Sequence, residues 1–199
     1  MNIFIARATG TSSTNKAELE SNPNRRTAIS ARWKGLGNLS SVFLRLALGI
    51  SFLSAVADRF GLWGAYGSAN VSWGSYARFV GYVSKLNWFL PAAMIPALSI
   101  IVTAAEVLFG LLLIVGWKTR ITALLSGVLL TSFALTMMVA LGVKAPLDFS
   151  VFSAAGGALL LAACADFPFS LDKLLGQGRN ARIEPPSDRA IRHKNQGMS

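Results

Sequence analysis

The stretch PAAMIPALSIIVTAAEVLFGLLLIVGWKTR, residues 91–120, is a long apolar run with a single carboxylate, Glu106, near its middle. From Ala97 to Val115 no other side chain ionises. At ~1.5 Å rise per residue such a segment spans the ~30 Å hydrocarbon core of a bilayer, so it reads as a transmembrane helix. An ionised carboxylate at that depth costs on the order of 2.5 kcal/mol or more, so Glu106 must face a protein interior, find a partner, or stay protonated. Thr103, Glu106, Gly110 and Leu113 fall at offsets that put them on one narrow face of the helix.

The rest of the composition agrees with a membrane protein. Of 199 residues, 53% are hydrophobic and only 14% charged, too few to coat a water-soluble globule. The net charge of +10 sits mostly in the two ends, in tails containing Ser, Asn and Pro. A nucleic-acid-binding face would interleave such charges with aromatics on a folded surface, so no nucleic-acid partner is expected. The chain has one cysteine, Cys164, and one histidine, His193. That leaves no intramolecular disulfide and no ligand set for a bis-histidine haem, an iron–sulfur cluster or a structural zinc, so no metal or cofactor bound by this chain is expected. Cys164, inside an apolar run, reads as a packing residue.

In chain order, residues 1–38 read as a flexible basic tail, without the apolar core of a signal peptide. Residues 39–167 read as the transmembrane domain, and residues 168–199 as a second flexible basic tail. The first apolar run, from about Leu39 to Ala57, contains Arg45 and is closed by Asp58 and Arg59. Arg45 and Arg59 stand fourteen residues apart, close to four turns, and therefore share a face with Gly49 and Phe52 between them. A helix face of that kind is made to meet another helix. The segment that follows is too polar and Gly-rich to span, but it carries Trp63, Tyr66, Trp73, Tyr76, Tyr82 and Trp88. Trp73, Tyr76, Phe79, Val80 and Val83 recur at helical spacing, which predicts a short amphipathic interfacial helix. Its rings read as an aromatic belt at the membrane surface or, alternatively, as a lid over a substrate.

The third run, ITALLSGVLLTSFALTMMVALGV, follows the second after the tight GWKTR turn, so the two must be antiparallel neighbours. After KAPLD, where Asp148 is placed to cap a helix, FSVFSAAGGALLLAACADF makes the fourth. The expected fold is an all-α integral membrane protein, a four-transmembrane-helix bundle with the short amphipathic helix between its first two spans. Lys and Arg crowd the side that holds both ends and the Lys118–Arg120 turn, whereas the other side holds Arg59, Arg78, Lys85 and Lys144. Both termini are therefore expected in the cytoplasm, with the protein in the cell (inner) membrane.

The motifs LRLALGISFL, DRFGLWG and AAEVLFGLLLIVGWKTRITALL resemble the DoxX family of small four-helix membrane proteins, which includes the DoxD subunit of thiosulfate:quinone oxidoreductase. The likeness covers Leu44 to Ala163. Arg45, Gly49, Glu106, Gly110 and Gly116 fall on family positions, while Arg59 stands where the family usually has a lysine and Val56 where a glycine is common. The resemblance implies a membrane subunit of a thiol- or sulfur-linked oxidoreductase system, with quinone as a diffusible co-substrate. Glu106 would then handle protons, Arg45 or Arg59 would hold an anionic or carbonyl oxygen, and Thr103, Gly110, Trp63 and Trp88 would contact the diffusible quinone. The alternatives are a non-catalytic scaffold that docks a soluble redox partner, with Glu106 paired to arginine, or a small-lipid or solute carrier. Expected partners are the lipid bilayer, a soluble or membrane redox subunit, and further copies of the chain as a homo-oligomer.

Overall fold

In the computed structural model, residues 23–164 and 167–174 are described. Their regular structure is helical: α1 (Pro23–Arg59), α2 (Tyr76–Leu86), a 3₁₀ turn (Ala92–Met94), α3 (Ile95–Val115), α4 (Thr119–Leu141), α5 (Lys144–Asp148) and α6 (Val151–Ala163). The chain divides into two units, Met1–Ser40 and Ser41–Ser199. In the first, α1 already begins at Pro23, inside the segment read as tail, and its residues 29–40 are exposed. Everything that follows concerns the second unit.

From Ser41 onward α1 buries one stripe: Ser41, Arg45, Leu48, Phe52, Val56 and Arg59. The corresponding stripe of α3 is Ile95, Ser99, Thr103, Glu106, Gly110 and Leu113. Both repeat at steps of three and four residues, the spacing that keeps side chains on one helix face. Gly49 and Gly110 let the two helices touch backbone to backbone. A Cβ on Gly49 would lie 2.7 Å from Ile114 Cγ1 and 2.8 Å from the Gly110 carbonyl oxygen, and one on Gly110 would lie 3.1 Å from the Gly49 carbonyl oxygen. Association inside a membrane relies on such close packing, because lipid is as apolar as leucine. Gly49→Leu is therefore expected to force the helices apart and destabilise the protein by about 1–3 kcal/mol or more, read as a lower melting temperature in detergent.

The apolar core joins Leu48, Phe52, Leu113, Ala123, Ala158 and Leu161 from α1, α3, α4 and α6. Several hydroxyls within the helices spend themselves on their own backbone: buried Ser99 donates to Ile95 O at 2.8 Å, buried Ser126 to Thr122 O at 2.8 Å and half-buried Thr131 to Gly127 O at 2.7 Å. No polar hydrogen is then left facing hydrocarbon at these positions.

Among the described residues three helices are long and apolar enough to cross a membrane: Ile29–Arg59, Ala92–Val115 and Thr119–Leu141. The fourth run departs from the expected span. Its helix, α6, has 13 residues, ~20 Å, short of the hydrocarbon thickness. The run breaks at Ser150, whose φ of 53° lies in the left-handed region, and KAPLD forms the separate helix α5. Asp148 ends α5 and pairs with Lys144 one turn back, so it does not cap α6. Even so, α6 returns to the start of α4: Arg120 donates to the carbonyl of Cys164 at 2.9 Å, and Gly127 admits the Leu159 side chain.

The amphipathic helix is present as α2. It turns Phe79, Val83 and Leu86 inward, and Phe79 and Val83 pack with Ile95, Leu98 and Val102 at the start of α3.

Candidate functional site

Arg59 sits in the last turn of α1, where a cation suits the negative end of the helix dipole, and Glu106 projects from the middle of α3. They meet as a buried ion pair: Arg59 Nη1 lies 2.5 Å from Glu106 Oε2, with 3% and 4% of the two side chains exposed. The same Nη1 donates to Thr103 Oγ1 at 2.9 Å, and the Thr103 hydroxyl in turn donates to Ser99 O at 2.8 Å. The guanidinium lies under rings from the neighbouring segment. Its Cζ is 3.7 Å from the centroid of Phe79 and 5.4 Å from that of Trp73, and the two rings meet edge to face. A desolvated cation–π contact of this kind contributes ~2 kcal/mol or more. Arg59 is thus held by a carboxylate, a hydroxyl and two aromatic faces. Its Nε has no hydrogen-bond acceptor, and Glu106 Oε2 meets Arg59 through the ion pair alone.

The neighbouring residue, Asp58, builds the roof. Its Oδ2 accepts the backbone N–H groups of Ser72 (2.9 Å) and Trp73 (3.2 Å), and its Oδ1 that of Gly74 (3.3 Å). Gly74 adopts a φ of 60°, and a Cβ there would strike the Tyr66 nitrogen at 2.4 Å, so only glycine fits this turn. Asp58 therefore fixes the loop that carries Trp73 over Arg59. Asp58→Asn keeps the shape but offers one acceptor oxygen in place of two, at an expected cost of about 1–3 kcal/mol. Hydrogen–deuterium exchange should accelerate at Ser72, Trp73 and Gly74 before it does in α3. Beside this roof, burial pushes the Tyr82 phenol above its ordinary value by penalising the phenolate.

Of the residues singled out from sequence, the structure brings together Glu106, Arg59 and Thr103. Gly110 lies one turn further along α3 and serves the contact with Gly49. Arg45 is equally buried but works at the opposite end of α3, ~10 Å along the helix from Glu106. It donates from Nε to Leu113 O (3.0 Å), from Nη1 to Pro168 O (3.1 Å), and from Nη2 to Ile114 O (3.4 Å) and Phe169 O (3.0 Å). Trp63 and Trp88 stand apart from the ion pair: Trp63 donates to Ser54 O at 3.1 Å, Trp88 meets Phe89 edge to face, and both are largely exposed. Among the described residues no three His, Cys, Asp or Glu side chains gather as a metal site would require.

Two acids with structural roles escaped the sequence reading. Asp58 was visible only as the residue that closes the first run. Asp172 lay in the presumed tail, yet its carboxylate accepts the backbone N–H groups of Lys118 and Thr119 at 2.7 Å each and so caps α4 from another part of the chain.

No curated protein and no solved structure matches the chain. The sequence model of one family, described as methylamine utilisation protein MauE, matches residues 37–148. This corrects the resemblance to DoxX. An arginine and a glycine on one span, facing a glutamate and a glycine on the next, are what any two closely packed helices with a buried ion pair need, so these motifs do not separate one such family from another. The matched region contains Arg45, Asp58, Arg59 and Glu106 and covers more than half of the sequence, and the chain accordingly belongs to the MauE family of membrane proteins.

Proposed function

We propose that this protein serves methylamine utilisation as a multi-pass membrane scaffold, holding a rigid extramembrane loop against which a soluble redox partner docks. The observation that carries this reading is the burial of the Arg59–Glu106 pair: Arg59 Nη1 is spent on Glu106 and Thr103, and the guanidinium face on the rings of Phe79 and Trp73. Asp58 then holds the loop above them in one shape. In this account the ion pair is a bolt, and the loop from Gly61 to Ser75 is what the partner meets. The return of α6 to the start of α4 supports a fourth, broken pass and hence both termini on one side. The distribution of Lys and Arg supports placing that side in the cytoplasm and the protein in the inner membrane.

A second reading is favoured by the unaccepted Nε of Arg59. That donor suits a carbonyl or hydroxyl oxygen, and with Glu106 beside it the pair would act in thiol- or sulfur-linked electron transfer to quinone. A deletion strain grown on methylamine separates the two. Under the scaffold reading the strain grows poorly, and growth returns with the wild-type gene and equally with an Arg59→Gln/Glu106→Gln double variant present at wild-type membrane abundance. A double variant that accumulates normally yet fails to restore growth overturns the scaffold reading in favour of a chemical role. Unimpaired growth of the deletion strain removes the link to methylamine.

A further inference from the structure

The outer face of α2 is left over once the fold is accounted for. Its inward residues pack on α3, while Arg78, Gly81 and Lys85 are exposed along one stripe at steps of three and four residues, and Trp88 follows one turn on, just past the helix end. Arg78 is exposed and lies over the Tyr66 ring, its Cζ 3.7 Å from the centroid, a contact that uses the face of the guanidinium. Gly81 is unexplained by anything inside the protein: a Cβ there would meet nothing within 4 Å, although mid-helix glycine costs ~0.5–1 kcal/mol relative to alanine. No Asp or Glu occurs between Phe60 and Pro91, and Asp148 is already paired with Lys144. Among the described residues neither Arg78 nor Lys85 forms an ion pair with a carboxylate.

We propose that this face of α2 binds the headgroups of anionic phospholipid in the adjoining leaflet, with Arg78 and Lys85 on the phosphates and Trp88 at the boundary with the acyl chains. Three features favour lipid over an acidic protein. The helix connects the end of one span to the start of the next, which puts it at the level of the membrane surface. Trp88 and Phe89, 70% and 58% exposed, adjoin the cations, and rings beside basic residues match the amphipathic headgroup region, whereas an acidic protein face offers the rings no apolar cover. The bare backbone at Gly81 also lets a headgroup approach closely between the two cations.

The test uses the full-length protein, delipidated in neutral detergent and titrated with phosphatidylglycerol or phosphatidylcholine under native mass spectrometry. Wild type should bind phosphatidylglycerol in preference. The Arg78→Gln/Lys85→Gln variant should lose affinity on the order of 25-fold, about fivefold per cation, whereas Arg32→Gln/Lys173→Gln, with the same loss of charge elsewhere, should keep it. Both α2 positions are exposed, and unchanged helical circular dichroism verifies that the variant folds. In reconstituted wild type, an amine reagent should label Lys85 more slowly in vesicles of phosphatidylcholine mixed with phosphatidylglycerol than in phosphatidylcholine alone. Equal lipid binding by the α2 variant and the control pair overturns the proposal. So does a Lys85 that is shielded by a polyglutamate peptide but not by phosphatidylglycerol, since the occupant is then an acidic protein. Neither result bears on growth with methylamine.

Discussion

Glu106→Ala is expected to be among the most damaging single substitutions in this protein, lowering its stability by about 3–5 kcal/mol, because it leaves the Arg59 guanidinium buried without its counter-ion. The loss should appear as a much lower melting temperature in detergent and as reduced accumulation in the membrane. Neutralising both partners should do far less harm: a buried ion pair repays little more than its own desolvation, and replacing the two together is often close to neutral. The Arg59→Gln/Glu106→Gln variant is therefore expected to be more stable than Glu106→Ala although it carries one more substitution. A double variant that loses as much stability as Arg59→Gln and Glu106→Gln lose together when measured singly would show that the two side chains are not energetically coupled.

Arg45 should be nearly as sensitive for a different reason. Its guanidinium supplies donors to four backbone carbonyls, two at the end of α3 and two in residues 168–169. Hydrogen bonds from a charged donor contribute ~1.5–3 kcal/mol each when buried, so Arg45→Leu is expected to destabilise by several kcal/mol. Arg45→Lys retains the charge but not the planar fork and should recover only part of the loss. Limited proteolysis locates the effect: cleavage between Phe167 and Leu174 should rise sharply in Arg45→Leu, whereas Glu106→Ala should leave that segment protected at temperatures where the protein is still folded. Gly116 explains why no larger residue separates the two parts, since a Cβ there would lie 2.9 Å from Arg45 Cζ and 2.6 Å from Ser170 Cβ.

The helical architecture was legible because burial in a bilayer writes a strong signal: long apolar runs, small residues where helices touch, and charges that must find partners. Glu106 identified itself in this way, and helical spacing nominated Arg59. Spacing alone left Arg45 and Arg59 equivalent as partners. What separates them is depth along α3, which depends on the register set by the Gly49–Gly110 contact and is not written in either helix alone. The shortness of the fourth helix was hidden because the run is apolar well beyond it, whereas the helix starts only after the left-handed Ser150 and stops at Ala163. Asp58 and Asp172 were missed because each acts on backbone N–H groups distant in sequence, and such acceptors carry no residue signature. The family was misread because the motifs used for it report packing rather than ancestry.

The cap supplied by Asp172 also sets an order of assembly. The N–H groups of Lys118 and Thr119, and the Arg45 donors that reach the carbonyls of Pro168 and Phe169, find these acceptors only in a segment that follows every long helix in the chain. Until that segment arrives, the turn between α3 and α4 stays open and Arg45 has only half its acceptors. A segment made after the long helices is thus the one that fastens them, so the bundle locks only once residues 167–174 have emerged.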